Sequence, residues 1–207
     1  ELTERPLFYD YVRVAALEIR RRARGALVVG PALSSGGGAR AELLLRQFEA
    51  KVYQDGNATD FLDVVSIHQN ALRDQSSGEW LAALLGNGLY PLATLAPRLA
   101  AKPIWVTEFG WLSDRVGETR QGAEIERAVE LMTGASDWPA CANIGNFRIT
   151  QAFVYKLEDS SGESSGLFRA DHSPKPVVTE YLRKMEFPAV HGRRPPASFR
   201  AQCDDLD

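Results

Sequence analysis

The sequence predicts an α/β domain built on a parallel sheet, and three observations lead to this fold class. Four short segments are rich in β-branched residues, as strands covered on both faces usually are. Longer segments of helical periodicity separate them. Polar residues follow the carboxyl ends of the last three strands, at the edge where α/β folds place their functional sites.

The first predicted element is an amphipathic helix over residues 7–24. Cationic residues cluster in its last turn, where the helix dipole favours them, and Gly25 marks its end. The residues that recur at helical spacing and form its apolar side are Leu7, Tyr11, Val14 and Leu17, with Arg21 one turn further on.

The remaining elements alternate in the same way. The four predicted strands are residues 27–31, 61–68, 102–108 and 147–155. Further helices are predicted over residues 41–52, 80–85, 90–99, 119–132 and 175–185, with breaks at the glycine-rich segments 34–38 and 86–88. The proline-containing tail reads as an extended segment, so we expect a domain of residues 1–187 and a tail of residues 188–207.

Composition excludes several classes of protein. The chain has 207 residues, of which 44% are hydrophobic and 25% charged, and its formal net charge is −3. These values are typical of one soluble globular domain, or at most two, and not of a disordered or collagen-like chain. A slightly acidic chain has no general field for nucleic acid, and no apolar run approaches the roughly 20 residues of a membrane span.

No cofactor site is predicted. No G-x-G-x-x-G follows the first strand, and Gly36–Gly38 lacks the Lys-Ser/Thr pair of a phosphate loop. Cys141 and Cys203 lack metal-ligand spacing, and the sequence leaves open one disulfide or two free thiols. The polar start at Glu1 predicts that the chain is the interior of a longer protein or a processed product, so that a targeting segment would be missing.

The strongest chemical signal is in residues 103–111. Glu108 ends a buried strand and is followed by Phe109, Gly110 and Trp111. Glutamate is rare in strands, and burying its charge is costly unless the charge is paired. Flanking aromatic residues provide a surface on which sugars stack. From the residues alone, Glu108 is either a functional carboxylate or a structural one that caps a helix or pairs with an arginine.

The run Ile104–Trp111, IWVTEFGW, resembles the seventh-strand motif of the clan A glycoside hydrolases, which are (β/α)8 barrels of the TIM type. Other segments resemble, less specifically, the fifth strand, the sixth strand, the eighth strand and the approach to the final helix: residues 27–32, 63–68, 152–155 and 166–176. The resemblance covers residues 7–186 and implies that the chain comprises about the last four βα units of the barrel. The xylosidase/iduronidase-like and bacterial exopolysaccharide hydrolase families look nearest.

The resemblance implies a retaining hydrolase of poly- or oligosaccharides with Glu108 as the catalytic nucleophile. The clan's acid/base glutamate ends the fourth strand, usually within Asn-Glu-Pro, and no such motif occurs here. We therefore expect this acid upstream, in an N-terminal half of the barrel on the same or a separate chain, with Glu1 a weaker candidate. Because four strands cannot close a barrel, the chain alone should be nearly inactive. A secreted or periplasmic location is expected, and a cytoplasmic one stays open.

Five residues are predicted to bind the carbohydrate, and all but Tyr155 have a structural alternative. His68 lies near the nucleophile in this resemblance, or is an ordinary structural histidine. Asn70 binds sugar hydroxyls or ends its strand. Trp111 stacks on a sugar face or packs under its loop. Tyr155 hydrogen-bonds and orients Glu108.

Lys156 departs from the tryptophan that many clan members carry near this position. A Lys156 that faces the barrel mouth would bind an anionic substrate group, whereas one that points outward would pair with Glu158 or Asp159. Two competing functions follow from these departures. One is a carbohydrate-binding pseudoenzyme of the same fold, and the other is a barrel lyase or aldolase that uses Lys156 as a Schiff-base amine.

Overall fold

The computed structural model describes residues 7–34, 45–46, 62–71, 74–133, 147 and 149–182. Its helices are α1 Leu7–Arg22, α2 Ser77–Leu84, α3 Tyr90–Leu95, α4 Pro97–Ala100, α5 Ser113–Val116 and α6 Glu118–Thr133. Its strands are β1 Val29–Ser34, β2 Val64–Asn70, β3 Ile104–Gly110 and β4 Ile149–Val154. The described residues also contain two π-helical turns, π1 Leu85–Leu89 and π2 Val177–Leu182.

Some predictions fall on parts of the chain for which no structure is described. Of the helix predicted over residues 41–52, only Leu45 and Arg46 are described, and both are helical. Glu1, Cys141, Cys203 and the tail of residues 188–207 lie outside the described residues. The division into a domain and a tail therefore stays a prediction.

The predicted parallel sheet is confirmed. Its four strands lie in the order β1-β2-β3-β4, and β1 pairs with β2 in parallel from Val29–Val64 to Ser34–His68. Between β2 and β3, the amide of Val65 donates to the Pro103 carbonyl at 2.9 Å and that of Ala71 donates to Gly110 at 3.0 Å. The donor residue and the acceptor residue both move toward the carboxyl end from one hydrogen bond to the next, as they do in a parallel pair of strands.

The chain forms two compact units. The first comprises residues 1–69, 82–109 and 147–153, and the second comprises residues 70–81, 110–146 and 154–207. The first unit contains α1 and almost all of the sheet, and the chain enters the second unit at the last residues of β2, β3 and β4. The residues that follow three strand ends therefore belong to the second unit.

Aliphatic and aromatic residues of the central strands and of the helices between β2 and β3 form the core of the first unit. They are Val64, Val65, Ile67, Leu84, Leu89, Leu92, Leu99, Ile104, Val106 and Phe109. The glycine break predicted at residues 86–88 is wrong, because π1 carries the helical chain through it from α2 into α3. The predicted helix over residues 90–99 is divided at Ala96, where the backbone leaves the helical conformation.

Helix α1 buries a different side from the one predicted. Tyr9 and Ala16 are buried, whereas Tyr11, Val14 and Leu17 are 66%, 60% and 49% exposed. The predicted face is wrong for this chain because a helix with apolar residues on two sides can bury only the side that meets its neighbours. The second apolar side of α1 is left uncovered within the described chain.

Asp63 joins the end of α1 to the beginning of the sheet. Its Oδ1 accepts a hydrogen bond from the Arg20 guanidinium at 2.8 Å, and its Oδ2 accepts one from the Val28 amide at 2.7 Å. Burial favours a raised pKa for the Asp63 carboxyl, but the bonds from Val28 and Arg20 outweigh it and lower the pKa overall.

A buried lysine organises the second unit. The Lys175 ammonium is fully buried and lies 2.8 Å from Asp159 Oδ1, 2.9 Å from Ser113 Oγ and 3.0 Å from the Ser164 carbonyl. The same Asp159 oxygen accepts the amide of Gly166 at 2.8 Å. Because each contact places an oxygen on the charge, this ammonium joins the segment after β3 to the segment after β4.

Candidate active site

Glu108 and His68 come together at the carboxyl edge of the sheet. His68 lies on β2 and Glu108 on the neighbouring β3, each two residues before the last residue of its strand. The distance between His68 Nδ1 and Glu108 Oε2 is 3.4 Å, and their side chains are 33% and 31% exposed. This confirms that both residues lie at one edge of a parallel sheet.

Strand alternation explains why these two side chains meet. Glu108 shares its side of β3 with the buried Ile104 and Val106, and His68 shares its side of β2 with the buried Val64 and Ser66. The apolar residues fix the register of each strand, so the polar residue that continues the same side is carried to the partly exposed edge. Ser66 contributes to this order by donating its hydroxyl to the Gly30 carbonyl at 2.8 Å.

The other predicted binding residues lie in the second unit, and Asn70 is the first of them. It ends β2 and its side chain is exposed.

Trp111 adopts the packed arrangement that was the structural alternative. It is 1% exposed, its indole Nε1 donates to the Gln75 carbonyl at 2.7 Å, and its ring centroid lies 5.9 Å from that of Trp80. The buried Gln121 amide donates to the Trp111 carbonyl at 2.8 Å. In the described chain, Trp111 therefore supports the loop after β3 from below.

Tyr155 directly follows β4, and its backbone lies against the end of β3. A Cβ atom built at Gly110 would stand 2.6 Å from the Tyr155 carbonyl oxygen, so this approach requires glycine. The peptide bond between Tyr155 and Lys156 is cis. The contact of the Tyr155 hydroxyl with Glu108 stays a prediction.

Lys156 forms an ion pair, but with a residue other than the ones predicted. Its ammonium lies 2.8 Å from Glu163 Oε2 and 2.5 Å from Ser160 Oγ, and 5.8 Å from the centroid of the Tyr155 ring. The prediction of Glu158 or Asp159 is wrong because those carboxylates are engaged elsewhere. Glu158 contacts His172 at 3.0 Å, and Asp159 contacts Lys175.

The two members of this pair shift each other's pKa in opposite directions. The hydrogen bond from Lys156 lowers the pKa of the Glu163 carboxyl, and the same bond raises the pKa of the Lys156 ammonium. Both groups are therefore ionised across the neutral range. Sequence reasoning missed Glu163, and the only signal for it was its place seven residues after Lys156.

The described residues include no group of three or more His, Cys, Asp or Glu side chains that could hold a metal ion. Within the same part of the chain, no helix is both long and apolar enough to cross a membrane. What the edge of the sheet does offer is a partly exposed carboxylate with an imidazole beside it. Such a carboxylate can act as a nucleophile or as a base.

Comparison with known proteins gives matches in structure alone. No protein-family model and no curated protein matches the sequence. A family 39 glycoside hydrolase from the gut symbiont Bacteroides cellulosilyticus WH2 matches 84% of this chain with 20% identity and a TM-score of 0.50. A thermostable mutant of a xylanase from Cellvibrio japonicus matches 82% of it with 15% identity and a TM-score of 0.51.

A β-glucuronidase from Faecalibacterium prausnitzii also matches, over 96% of this chain, with a TM-score of 0.42 and 17% identity. The chain spans 36% of the family 39 structure and 52% of the xylanase structure, so it corresponds to part of each. The chain thus has the fold of part of a TIM-barrel glycoside hydrolase, the fold that the resemblance of residues 104–111 implies.

Proposed function

We propose that this chain carries the catalytic nucleophile, Glu108, of a retaining glycoside hydrolase that acts on a poly- or oligosaccharide. The observation that supports it best is the partly exposed Glu108 carboxylate, which lies 3.4 Å from His68 at the carboxyl edge of the sheet. That edge is where TIM-barrel enzymes hold their catalytic residues. The fold likeness to glycoside hydrolases supports the reaction class.

In this mechanism Glu108 Oε attacks the anomeric carbon, and the bond from that carbon to the leaving oxygen breaks. A glycosyl ester of Glu108 results, and water then hydrolyses it with net retention. A second carboxyl, about 5–5.5 Å from the first, protonates the leaving oxygen and afterwards takes a proton from the attacking water. The two carboxyls need different environments, because Glu108 must be ionised when the other is protonated.

We propose that the second carboxyl belongs to further βα units that complete the barrel. The chain supplies four described strands, and it spans 36% and 52% of two structures with its fold. Closing a barrel of this type takes eight strands, so an N-terminal half on the same or another polypeptide is the expected partner.

The proposal gives His68 a positioning role and assigns sugar contacts to side chains that follow the strand ends. A protonated His68 would stabilise the ionised Glu108, and a neutral one would hold its orientation by a hydrogen bond. Asn70, Tyr155 and Lys156 present polar groups for sugar hydroxyls. Trp111 contributes by supporting its loop, since its ring is buried.

The test is Glu108→Ala in the complete protein. Glycosidase turnover should fall by several orders of magnitude, because no other group forms the ester. Azide or formate should then restore part of it by entering the space that the carboxylate leaves. With azide the product should be a glycosyl azide of inverted anomeric configuration, which NMR identifies, because only one displacement occurs.

Glu18→Ala is the matched control. Glu18 is also a partly exposed glutamate of the first unit, but it lies on α1 and pairs with Arg21. Its removal should leave turnover unchanged. Near-normal turnover of the Glu108 variant, or lost activity that no small anion restores in a folded protein, would refute the proposed nucleophile.

A further inference from the structure

Among its described residues, the second unit contains two Lys–carboxylate pairs that differ in their access to solvent. The side chains of Lys175 and Asp159 are 0% and 17% exposed, and their contacts are all internal ones that join loops. The side chains of Lys156 and Glu163 are 21% and 37% exposed, and they lie in the segment that directly follows β4. Of these two pairs, only Lys156–Glu163 is exposed enough to contact a ligand.

The Lys156–Glu163 pair presents donors and acceptors together and almost no net charge. The ammonium is held by Glu163 Oε2 at 2.8 Å and by Ser160 Oγ at 2.5 Å, and Glu163 Oε1 accepts from Ser165 Oγ at 3.2 Å. The pair is therefore fixed in place, and the Tyr155 ring lies beside it. A sugar with neighbouring hydroxyls can donate to Glu163 and accept from Lys156 at the same time.

The electrostatic environment of this pair is unfavourable for a substrate carboxylate. The Lys156 charge that would attract it is already compensated by Glu163, and Glu163 itself repels a second carboxylate. To bind there, a sugar acid would have to place its carboxylate beside the Glu163 carboxylate, which stays on Lys156 and Ser165. The ion pair thus works against the anionic ligand that a lone lysine in this position would favour.

We propose that Glu163 is a specificity-determining residue, which pairs with Lys156 so that this site takes neutral sugar units and rejects sugar acids. The inference rests on the proposed function, because it places Lys156 in the substrate-binding surface. It predicts a selectivity that is measurable by binding alone, without turnover.

The experiment compares Glu163→Gln with the natural protein, using matched pairs of methyl glycosides. Each pair contains a neutral sugar and its C6 acid, in the gluco, galacto and manno configurations, and affinities are measured by calorimetry or by ligand-observed NMR. Glutamine keeps the size of the side chain and an oxygen for Lys156, so the fold should be retained. The ratio of acid to neutral affinity should rise about tenfold or more in at least one pair, because a charge-assisted hydrogen bond becomes available.

Two further variants separate this effect from general electrostatics. Glu180→Gln removes the same charge from an exposed position of the second unit, and it should leave the affinity ratio unchanged. Lys156→Met combined with Glu163→Gln should lose the gained affinity for the acid, because the ammonium is gone. The gain should also shrink as salt is raised.

The inference is overturned if Glu163→Gln leaves the ratio unchanged, if Glu180→Gln raises it equally, or if the gain persists without Lys156. It is also overturned if none of the matched pairs binds to the natural protein or to the variant. These outcomes are independent of the Glu108 experiment, which measures turnover. A failed azide rescue with a shifted binding ratio would refute the nucleophile and keep the role of Glu163.

Discussion

Lys175 carries a large desolvation penalty, because its side chain is fully buried. A fully buried ammonium is tolerated only when oxygens replace its lost water, and here Asp159, Ser113 and Ser164 do so at 2.8–3.0 Å. Removing one partner of such a pair is costly, since the other charge stays buried without compensation. The pair therefore stabilises the fold only as long as both members are present.

We expect Lys175→Met to lower the free energy of unfolding by about 3–5 kcal/mol, the usual cost of breaking a buried pair. Methionine preserves the length of the side chain but leaves the Asp159 carboxylate without its cation. Urea unfolding followed by circular dichroism measures the change. Arg115→Met, which removes an exposed cation of the same unit, should change stability by less than about 1 kcal/mol. Equal effects of the two variants would contradict the role of Lys175.

His68→Ala should lower kcat of the complete protein by about 10- to 100-fold with a smaller change in KM. The reason is that one charge-assisted contact to the nucleophile is lost, and such contacts have about this value. His68→Asn, which keeps a hydrogen-bonding group, should retain more activity than His68→Ala. His172→Asn, at the exposed histidine that contacts Glu158, is the control and should keep full activity. An unchanged kcat in His68→Ala would show that His68 does not act on Glu108.

At this scale the sequence predicts what depends on local pattern and misses what depends on pairing in space. Glu108 and His68 are predictable because each continues the buried side of a strand to its end. The partner of Lys156 is not, since Glu158, Asp159 and Glu163 all lie within seven residues of it. The choice among them is made by contacts with His172 and Lys175, which sequence spacing does not reveal.

Among the elements, the strands and the longer helices are predicted in the right order, and their limits are shifted. Strands β2 and β3 each extend two residues beyond their predicted ends, to Asn70 and Gly110. Apolar pattern marks the buried part of a strand, whereas the ladder is made by backbone groups and continues through polar residues and glycine. Helix α6 is predicted within one residue at each end because its periodic pattern is long.

The junction of α1 and β1 should make stability depend on pH through Asp63. The pKa of this carboxyl is lower in the folded chain than in the unfolded one. Its contribution to the free energy of unfolding is therefore complete above the ordinary pKa of aspartate, which is about 4. It is lost as the pH falls through the folded-state value. Asp63→Asn should therefore cost about 1 kcal/mol at pH 7 and almost nothing in strong acid.

Urea unfolding at a series of pH values tests this dependence. Asp10→Asn removes a carboxylate from the exposed side of α1 and serves as the control. Its unfolding free energy should run parallel to that of the natural chain across the series. A constant difference between Asp63→Asn and the natural chain from neutral to acid pH would contradict a titrating role for Asp63.

At the scale of the whole molecule, the exposed side of α1 and the outermost strands of the described sheet fit the further βα units that we propose. Tyr11, Val14 and Leu17 are exposed, and β1 and β4 are the outermost strands of the described sheet. In a (β/α)8 barrel, each outer helix packs beside the helices of neighbouring units. The additional βα units that close the barrel would therefore cover this side of α1.

We expect the double substitution Val14→Ser, Leu17→Ser to affect stability differently in this chain alone and in a longer protein that completes the barrel. In this chain alone it should change the free energy of unfolding by less than about 1 kcal/mol, since both side chains are already in water. In the longer protein it should cost about 2–4 kcal/mol, because the same side chains would be buried. Denaturant unfolding of both forms measures the difference. Equal effects in the two contexts would show that α1 has no such neighbour.

The close approach of the Tyr155 carbonyl to Gly110 limits how this protein can diversify. Any residue other than glycine at position 110 would force the backbone to shift, because even the Cβ atom of alanine would stand 2.6 Å from that oxygen. The constraint lies two positions after the proposed nucleophile, in the segment that an engineer would randomise first. A library that varies Glu108 to Trp111 freely would lose most of its members at this one position. One that holds Gly110 fixed can explore new specificities with its fold preserved.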